Sequence, residues 1–280
     1  MHNEDGFLVA DLAVPPPPAW IPPRRDSVYM AADLPKPPAP MWGTLESPPG
    51  AALAVLDGMG GHASGEAAPR IAADVFAAVL ATAPPTGDEA WRNRLVVAMN
   101  GASRAILGLA TNGPARFRGM GTAALLAVVT GEKLHLAGAG DCRGYVLRGG
   151  TLTQVTRDDT LQNDYRAMAG PDADLSEVPA NVITKALGMR ETLDVQATTF
   201  TLCAGDVLLL CTNGLYDEVD EATLATVLSQ LDGPAESCLT LVSLANRGGG
   251  RDNVTVLVAR PEGDLRPPGP DDVLVSPNLP

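Results

Sequence analysis

The spacing of apolar and polar positions divides the chain into strand-like and helix-like stretches. Residues 6–12 (GFLVADL) alternate weakly and predict a strand, and residues 51–57 (AALAVLD) form the short apolar run of a buried strand. Residues 64–82 carry Ile71, Val75, Val79 and Leu80 at helical spacing. Ser64 is the candidate cap of that helix, Glu66 favours its positive end, and Pro69 falls where a missing N–H costs little. A second helix is predicted over 88–111, with Trp91, Leu95, Met99, Ile106 and Leu109 facing the core. Strand patterns then dominate at 122–130, 133–139, 143–148 and 151–155, with Gly131-Glu132 and Gly149-Gly150 as hairpin turns. Residues 158–169 read as helical and 171–181 as an acidic loop. Strands resume at 195–202 and 206–212, helices at 220–231 and 234–246, and a last strand occupies 253–260.

This order predicts an α+β fold. Hairpin-linked strands imply antiparallel sheets, and helices arriving in pairs imply that they cover faces rather than alternate with strands. Two packed sheets with a helix pair outside each satisfy the order. Residues 13–50 break the pattern: they hold 12 of the 25 prolines and two of the three tryptophans, Trp20 and Trp42. Proline removes ladder donors, so this segment is expected to be an insert outside the sheets, either a surface loop pinned by the tryptophans or a partner-docking arm. The expected organisation is one domain over 1–260, interrupted by the 13–50 insert, and a loose proline-rich tail at 261–280.

Charge narrows the function. The formal net charge is −13, which argues against a nucleic-acid partner and suits a site that gathers divalent cations. The four cysteines have no zinc-ligand spacing and read as buried thiols, and no apolar run reaches the ~20 residues that span a bilayer. A cytoplasmic location with no membrane partner is the expectation. No GxxxxGK[ST] loop is present, which excludes a P-loop enzyme.

Carboxylates follow or precede apolar strands at several places: Asn3-Glu4-Asp5, the DGMGGH run at 57–62, Gly140-Asp141-Cys142-Arg143, Thr212-Asn213-Gly214-Leu215-Tyr216-Asp217, and Arg251-Asp252-Asn253. If those strands are neighbours, their ends converge. Converging carboxylates repel unless a cation neutralises them, and hard oxygen donors select Mg²⁺ or Mn²⁺. Structural aspartates scattered over the surface are the alternative.

Taken in order, these motifs resemble the PPM (type 2C) family of metal-dependent serine/threonine protein phosphatases, in its bacterial form. The resemblance rests on Asn3-Glu4-Asp5, DGMGGH at 57–62, Gly119-Met120-Gly121-Thr122, GAGDCRGYVLR at 138–148 and LTQVTRDD at 152–159. It continues through ALG at 186–188, DVLLLCTNGLYDEV at 206–219 and GGRDNVTVLV at 249–258. It implies a four-layer αββα sandwich of two antiparallel sheets flanked by helix pairs, with two Mn²⁺ or Mg²⁺ ions between the sheets. It implies Asp57 as the bridging ligand, the Gly58 carbonyl on one ion, and Asn213 with Asp252 on the other. Glu4 and Asp5 would hold waters, and Asp141 and Asp217, with Asn213 again, would form a third ion site. Asp57, Asp252 and Asp5 are the implied catalytic set. The implied reaction is hydrolysis of phosphoserine or phosphothreonine on proteins by a metal-activated water, with no phosphoenzyme. The partner class is a phosphorylated protein, with a cognate Ser/Thr kinase or its targets behind it. His62 is a candidate general acid, although the family's acid histidine aligns with Met59.

Two departures stand out. The family places aspartate at position 213, and Asn213 keeps an amide oxygen but loses a unit of negative charge. Weaker metal loading and slower turnover are expected from it. The family's phosphate-binding arginine would fall just before Met1: either the true start lies upstream, or another arginine serves, with Arg24 and Arg25 of the insert as candidates. Both departures leave open an alternative, a catalytically inactive member that binds a phosphoprotein or partner.

Overall fold

A computed structural model describes residues 4–12, 50–60, 65–170, 172–231 and 233–277. Nine strands form two antiparallel sheets. The first holds β1 (Asp5–Asp11), β2 (Ala51–Met59), β3 (Gly121–Thr130), β4 (Lys133–Ala139) and β7 (Ala197–Thr201), hydrogen-bonded in that order. The second runs β6 (Thr151–Gln154), β5 (Arg143–Arg148), β8 (Val207–Cys211) and β9 (Val256–Ala259). Helices α1 (Ala67–Leu80) and α2 (Asp88–Asn112) cover the first sheet. Helices α5 (Glu221–Gln230) and α6 (Pro234–Gly248) cover the second. Among the described residues two shorter α-helices follow, α3 (Leu161–Ala169) and the single turn α4 (Asn213–Tyr216), with one 3-10 turn at Ala115–Phe117. The architecture is the αββα sandwich expected from the sequence.

The side-chain period of two sorts each strand between layers. Along β3, Ala124, Leu126 and Val128 face the helices, while Ala123, Leu125 and Ala127 face the second sheet. Along β8, Val207, Leu209 and Cys211 face α5 and α6, while Leu208 and Leu210 face the first sheet. Both strands are covered on both sides, so their sequences read as continuous apolar runs rather than alternations.

Two local expectations shift. In α1 the fully buried side is Ala68, Ala72, Ala73, Phe76 and Leu80, and the predicted Ile71, Val75 and Val79 flank it half-buried. Small alanines let the helix lie close to the sheet, so they take the central positions that hydrophobic size alone assigns to the branched residues. The helix starts at Ala67, after Glu66; the candidate cap Ser64 lies outside the described residues, as does the 13–49 part of the insert. Beyond β9, the tail read as loose lies against the sandwich. Leu265 and Leu274 pack on the inter-sheet core, Ala204 N–H donates to the Arg266 carbonyl at 2.9 Å, and Arg266 pairs with Asp272.

Candidate metal centre

Strand register brings the acidic motifs to one end of the sandwich. In the first sheet Asp5 opens β1 directly opposite Asp57, near the end of β2. In the second sheet Arg143 pairs with Cys211, and Cys211 with Val256. Asp141, just before β5, Asn213, just after β8, and Asp252, just before β9, therefore leave the sheet at the same edge. The two edges are stitched together. Thr212 and Thr255 of the second sheet each donate a hydroxyl to Asp5 Oδ2 at 2.9 Å. Glu4 N–H donates to Asn253 Oδ1 at 2.7 Å.

The site is crowded with like charge. Burial raises the Asp57 pKa well above the usual carboxylate value, and Asp5, Asp141, Asp252 and Glu4 all push it further in the same direction. Asp5 is pushed up to about 7, first by burial and then by Asp252 and Glu4, against the two threonine hydrogen bonds. Burial likewise takes Asp141 up to about 6. Asp217 sits at the exposed rim; burial raises its pKa, Arg143 and Arg251 oppose that, and Asp252 adds to it. Glu4, Asp5, Asp141 and Asp252 thus all lie near enough to Asp57 to act on its charge, with Asn213 and Asp217 on the adjoining turn.

The backbone is shaped around the same point. A Cβ at Gly58 would collide with the carbonyls of Glu4 and Gly65, so only glycine lets these three segments meet. Gly58 N–H donates to the Glu4 carbonyl at 3.1 Å, and Thr122 Oγ1 holds the Asp57 carbonyl at 2.9 Å. A Cβ at Gly214 would strike the Asn253 carbonyl, which fixes the turn after β8 against the loop before β9.

The residues present fit a hard divalent cation. Asp141 Oδ1 and Asn213 Oδ1 are both buried without a hydrogen-bond partner, an arrangement that costs free energy unless something else meets those oxygens. Carboxylate, amide and carbonyl oxygens form the donor set that Mg²⁺ and Mn²⁺ prefer. Among the described residues, no three His, Cys, Asp or Glu side chains close on one ion by themselves. An ion here would draw on the Asn213 amide, backbone carbonyls or water to complete its shell.

Sequence reading identified the carboxylates but missed what holds them. Thr212, Thr255, Thr122 and Asn253 anchor Asp5, Asp57 and Glu4, and Tyr216 Oη donates to the Asp141 carbonyl at 2.9 Å. Their only sequence signal is adjacency to an acidic motif. His62, Arg24 and Arg25 lie outside the described residues.

Comparison with known proteins agrees with this geometry. The family model described as "Protein phosphatase 2C" matches residues 42–238. The serine/threonine protein phosphatase PstP of Mycobacterium tuberculosis is 39% identical over 211 residues, 74% of this chain and 40% of that protein. The chain therefore spans well under half the length of those mycobacterial relatives. The serine/threonine phosphatase stp of Listeria monocytogenes is 30% identical over 224 residues, 78% of this chain and 86% of the relative. Among solved structures, the catalytic domain of PstP in complex with two manganese ions superposes with a TM-score of 0.64 at 36% identity, covering 74% of this chain and 86% of that one.

Proposed function

The chain belongs to the protein phosphatase 2C family, and on that premise we propose that it hydrolyses phosphoserine and phosphothreonine on proteins with two Mn²⁺ or Mg²⁺ ions. The observation that carries the reading is Asp57, half-buried with four other carboxylates acting on its charge, in the same cluster as the unpartnered oxygens of Asp141 and Asn213. Carboxylates gathered this closely repel, and a bound divalent cation offsets that repulsion.

In this reading Asp57, the Gly58 carbonyl, Asn213 and Asp252 would hold the ions. Glu4 and Asp5 orient water, and Asp141 and Asp217 offer a third site. When bound, a pair of divalent cations makes water acidic enough to attack phosphorus and offsets charge on the phosphoryl oxygens. The chain's own part is positional. Two threonine hydroxyls on Oδ2 leave Asp5 one orientation, and the Asn253 amide fixes the backbone at Glu4. Water attack needs no phosphoenzyme, and the four cysteines agree with that: three are buried and burial raises each thiol pKa, the reverse of an activated nucleophile.

Asn213 gives a second reading its footing, since an amide replaces a charged ligand where the family has aspartate. On that reading the chain is an inactive member that binds phosphoproteins. One experiment separates the two: hydrolysis of a phosphothreonine peptide across a Mn²⁺ titration. Turnover that rises with Mn²⁺ and vanishes in chelator supports the enzyme, with loading weakened by Asn213. Phosphopeptide binding without turnover at saturating Mn²⁺ supports the inactive member. Among the described residues no helix is long and apolar enough to cross a membrane.

A further inference from the structure

The two turns that carry Asn213, Asp217 and Asp252 are tied together by an ion pair at the rim of the carboxylate cluster. Glu218 follows Asp217 at the end of α4, and its side chain is only 3% exposed; Arg251 precedes Asp252 and is 73% exposed. Arg251 Nε donates to Glu218 Oε1 at 2.7 Å, the Arg251 backbone N–H reaches the same oxygen at 3.4 Å, and Nη2 donates to the Asp217 carbonyl at 3.3 Å. One arginine thus holds both its own loop and the backbone of a candidate ligand residue.

The surroundings are cut to admit the pair. Gly248 closes α6 and Gly249 follows it at a φ of 156°. A Cβ at Gly249 would stand 3.0 Å from Glu218 Oε2, and one at Gly248 would stand 3.1 Å from it. The glycines let the carboxylate press against the backbone, so Glu218 has little room to turn away. An exposed ion pair commonly contributes little. This one has a buried acceptor and bonds to two backbone segments, so its effect falls on the relative placement of the two turns.

We propose that Glu218 and Arg251 are positioning residues: their pairing fixes the Asn213–Asp217 turn against the Asp252 loop and so sets the affinity for the divalent cation held between Asn213 and Asp252. The inference rests on the reading of those residues as cation ligands. It carries particular weight here because Asn213 offers a dipole rather than a charge, and a neutral ligand depends on being held in place.

The test is Mn²⁺ binding to the full chain, followed by the free-ion electron paramagnetic resonance signal, for the unaltered protein, Glu218→Gln, Arg251→Gln and the double variant. Residues that orient metal ligands typically change affinity by ~10–100-fold when replaced. The weaker of two Mn²⁺ sites is expected to lose about 10-fold in either single variant, with the tighter site within about 2-fold. The double variant should lose no more than the singles, because both remove one interaction. Arg251→Lys, which keeps the charge but not the fork to Asp217, should recover part of the loss. Melting in chelator reads fold integrity separately. Variants that melt lower in chelator yet bind Mn²⁺ as the unaltered chain does would assign the pair a structural role and overturn the inference. So would unchanged binding at both sites, with the phosphatase reading intact. An unaltered chain that takes up no Mn²⁺ would overturn both.

Discussion

The two ends of β5 bury aspartates in opposite ways. At the far end Asp206 has no exposed side-chain surface, and Arg148 answers it with two hydrogen bonds, Nε at 2.9 Å and Nη2 at 2.6 Å, while Cys203 N–H adds a third. Arg148 also donates to the carbonyls of Thr201 and Asp272, joining the first sheet and the tail to the second sheet. At the near end Asp141 is buried and Asp57 half-buried, with other carboxylates as their main charged company. One molecule thus shows what a structural buried aspartate looks like, and its carboxylate-rich end departs from that form. On the two-ion reading, the charge that Arg148 supplies at one end would come from bound cations at the other.

Substituting asparagine at each end sharpens the contrast. Asp57→Asn should reduce peptide hydrolysis by ~10³-fold or more, since the loss removes a ligand central to two-ion chemistry. In chelator the same variant should melt higher than the unaltered chain, because one of several repelling charges is gone. Asp206→Asn should do the reverse: a loss of about 3 kcal/mol, because breaking a buried pair strands Arg148, and an unchanged requirement for Mn²⁺ in whatever fraction folds. Thermal melts with and without Mn²⁺ read both. Equal destabilisation by the two substitutions in chelator would erase the distinction between the ends.

The near end should also respond to pH in its metal-free form. A carboxyl whose pKa is higher in the folded chain binds its proton more tightly there. Its stabilising contribution is present below the unfolded value near 3.8 and is lost as pH rises through the folded value. With Asp141 at about 6 and Asp5 at about 7, the metal-free chain should lose stability between pH 4 and 7.5, seen as a melting temperature falling by several degrees. Saturating Mn²⁺ should flatten the slope, as a ligand bound only by the folded form stabilises it. A melting temperature that rises steadily over this range in chelator would mean that the cluster is not crowded as described.

Much of this was legible beforehand, for physical reasons. Apolar runs such as TAALLAVVT mark strands covered on both faces, and the turn glycines fix where they end, so the carboxylates after them could be assigned to strand termini. Which termini meet depends on sheet order, and that is a tertiary property: nothing local pairs Asp5 with Thr212 and Thr255. The Arg148–Asp206 pair lay hidden for the same reason, since 58 residues separate the partners. In α1 the reading favoured large branched residues over alanine, and close helix–sheet packing chose the alanines. No local signal pairs Glu218 with Arg251, because the pairing depends on Glu218 lying against Gly248 and Gly249.

The smallest expected change is the most informative about this chain in particular. Asn213 opens α4, and its Oδ1 is buried without a hydrogen-bond partner. Asn213→Asp would place a full negative charge at that oxygen, in surroundings less polarisable than water, where a charge interacts more strongly with a cation than it would in bulk solvent. Charge count is a main determinant of divalent affinity, so Mn²⁺ affinity should rise by ~10-fold and phosphopeptide turnover at limiting Mn²⁺ should rise with it. Without metal the new carboxylate joins a cluster already crowded with like charge, so the variant should melt lower in chelator, by ~2–4 °C for each kcal/mol of added repulsion. Added Mn²⁺ should reverse the order of the two melting temperatures. That crossover is the decisive signature, because a purely local packing effect would shift both melts in one direction. If the aspartate variant binds Mn²⁺ no more tightly and stays as slow as the unaltered chain, Asn213 does not limit the site, and the inactive, phosphoprotein-binding reading gains the ground that the enzyme reading loses.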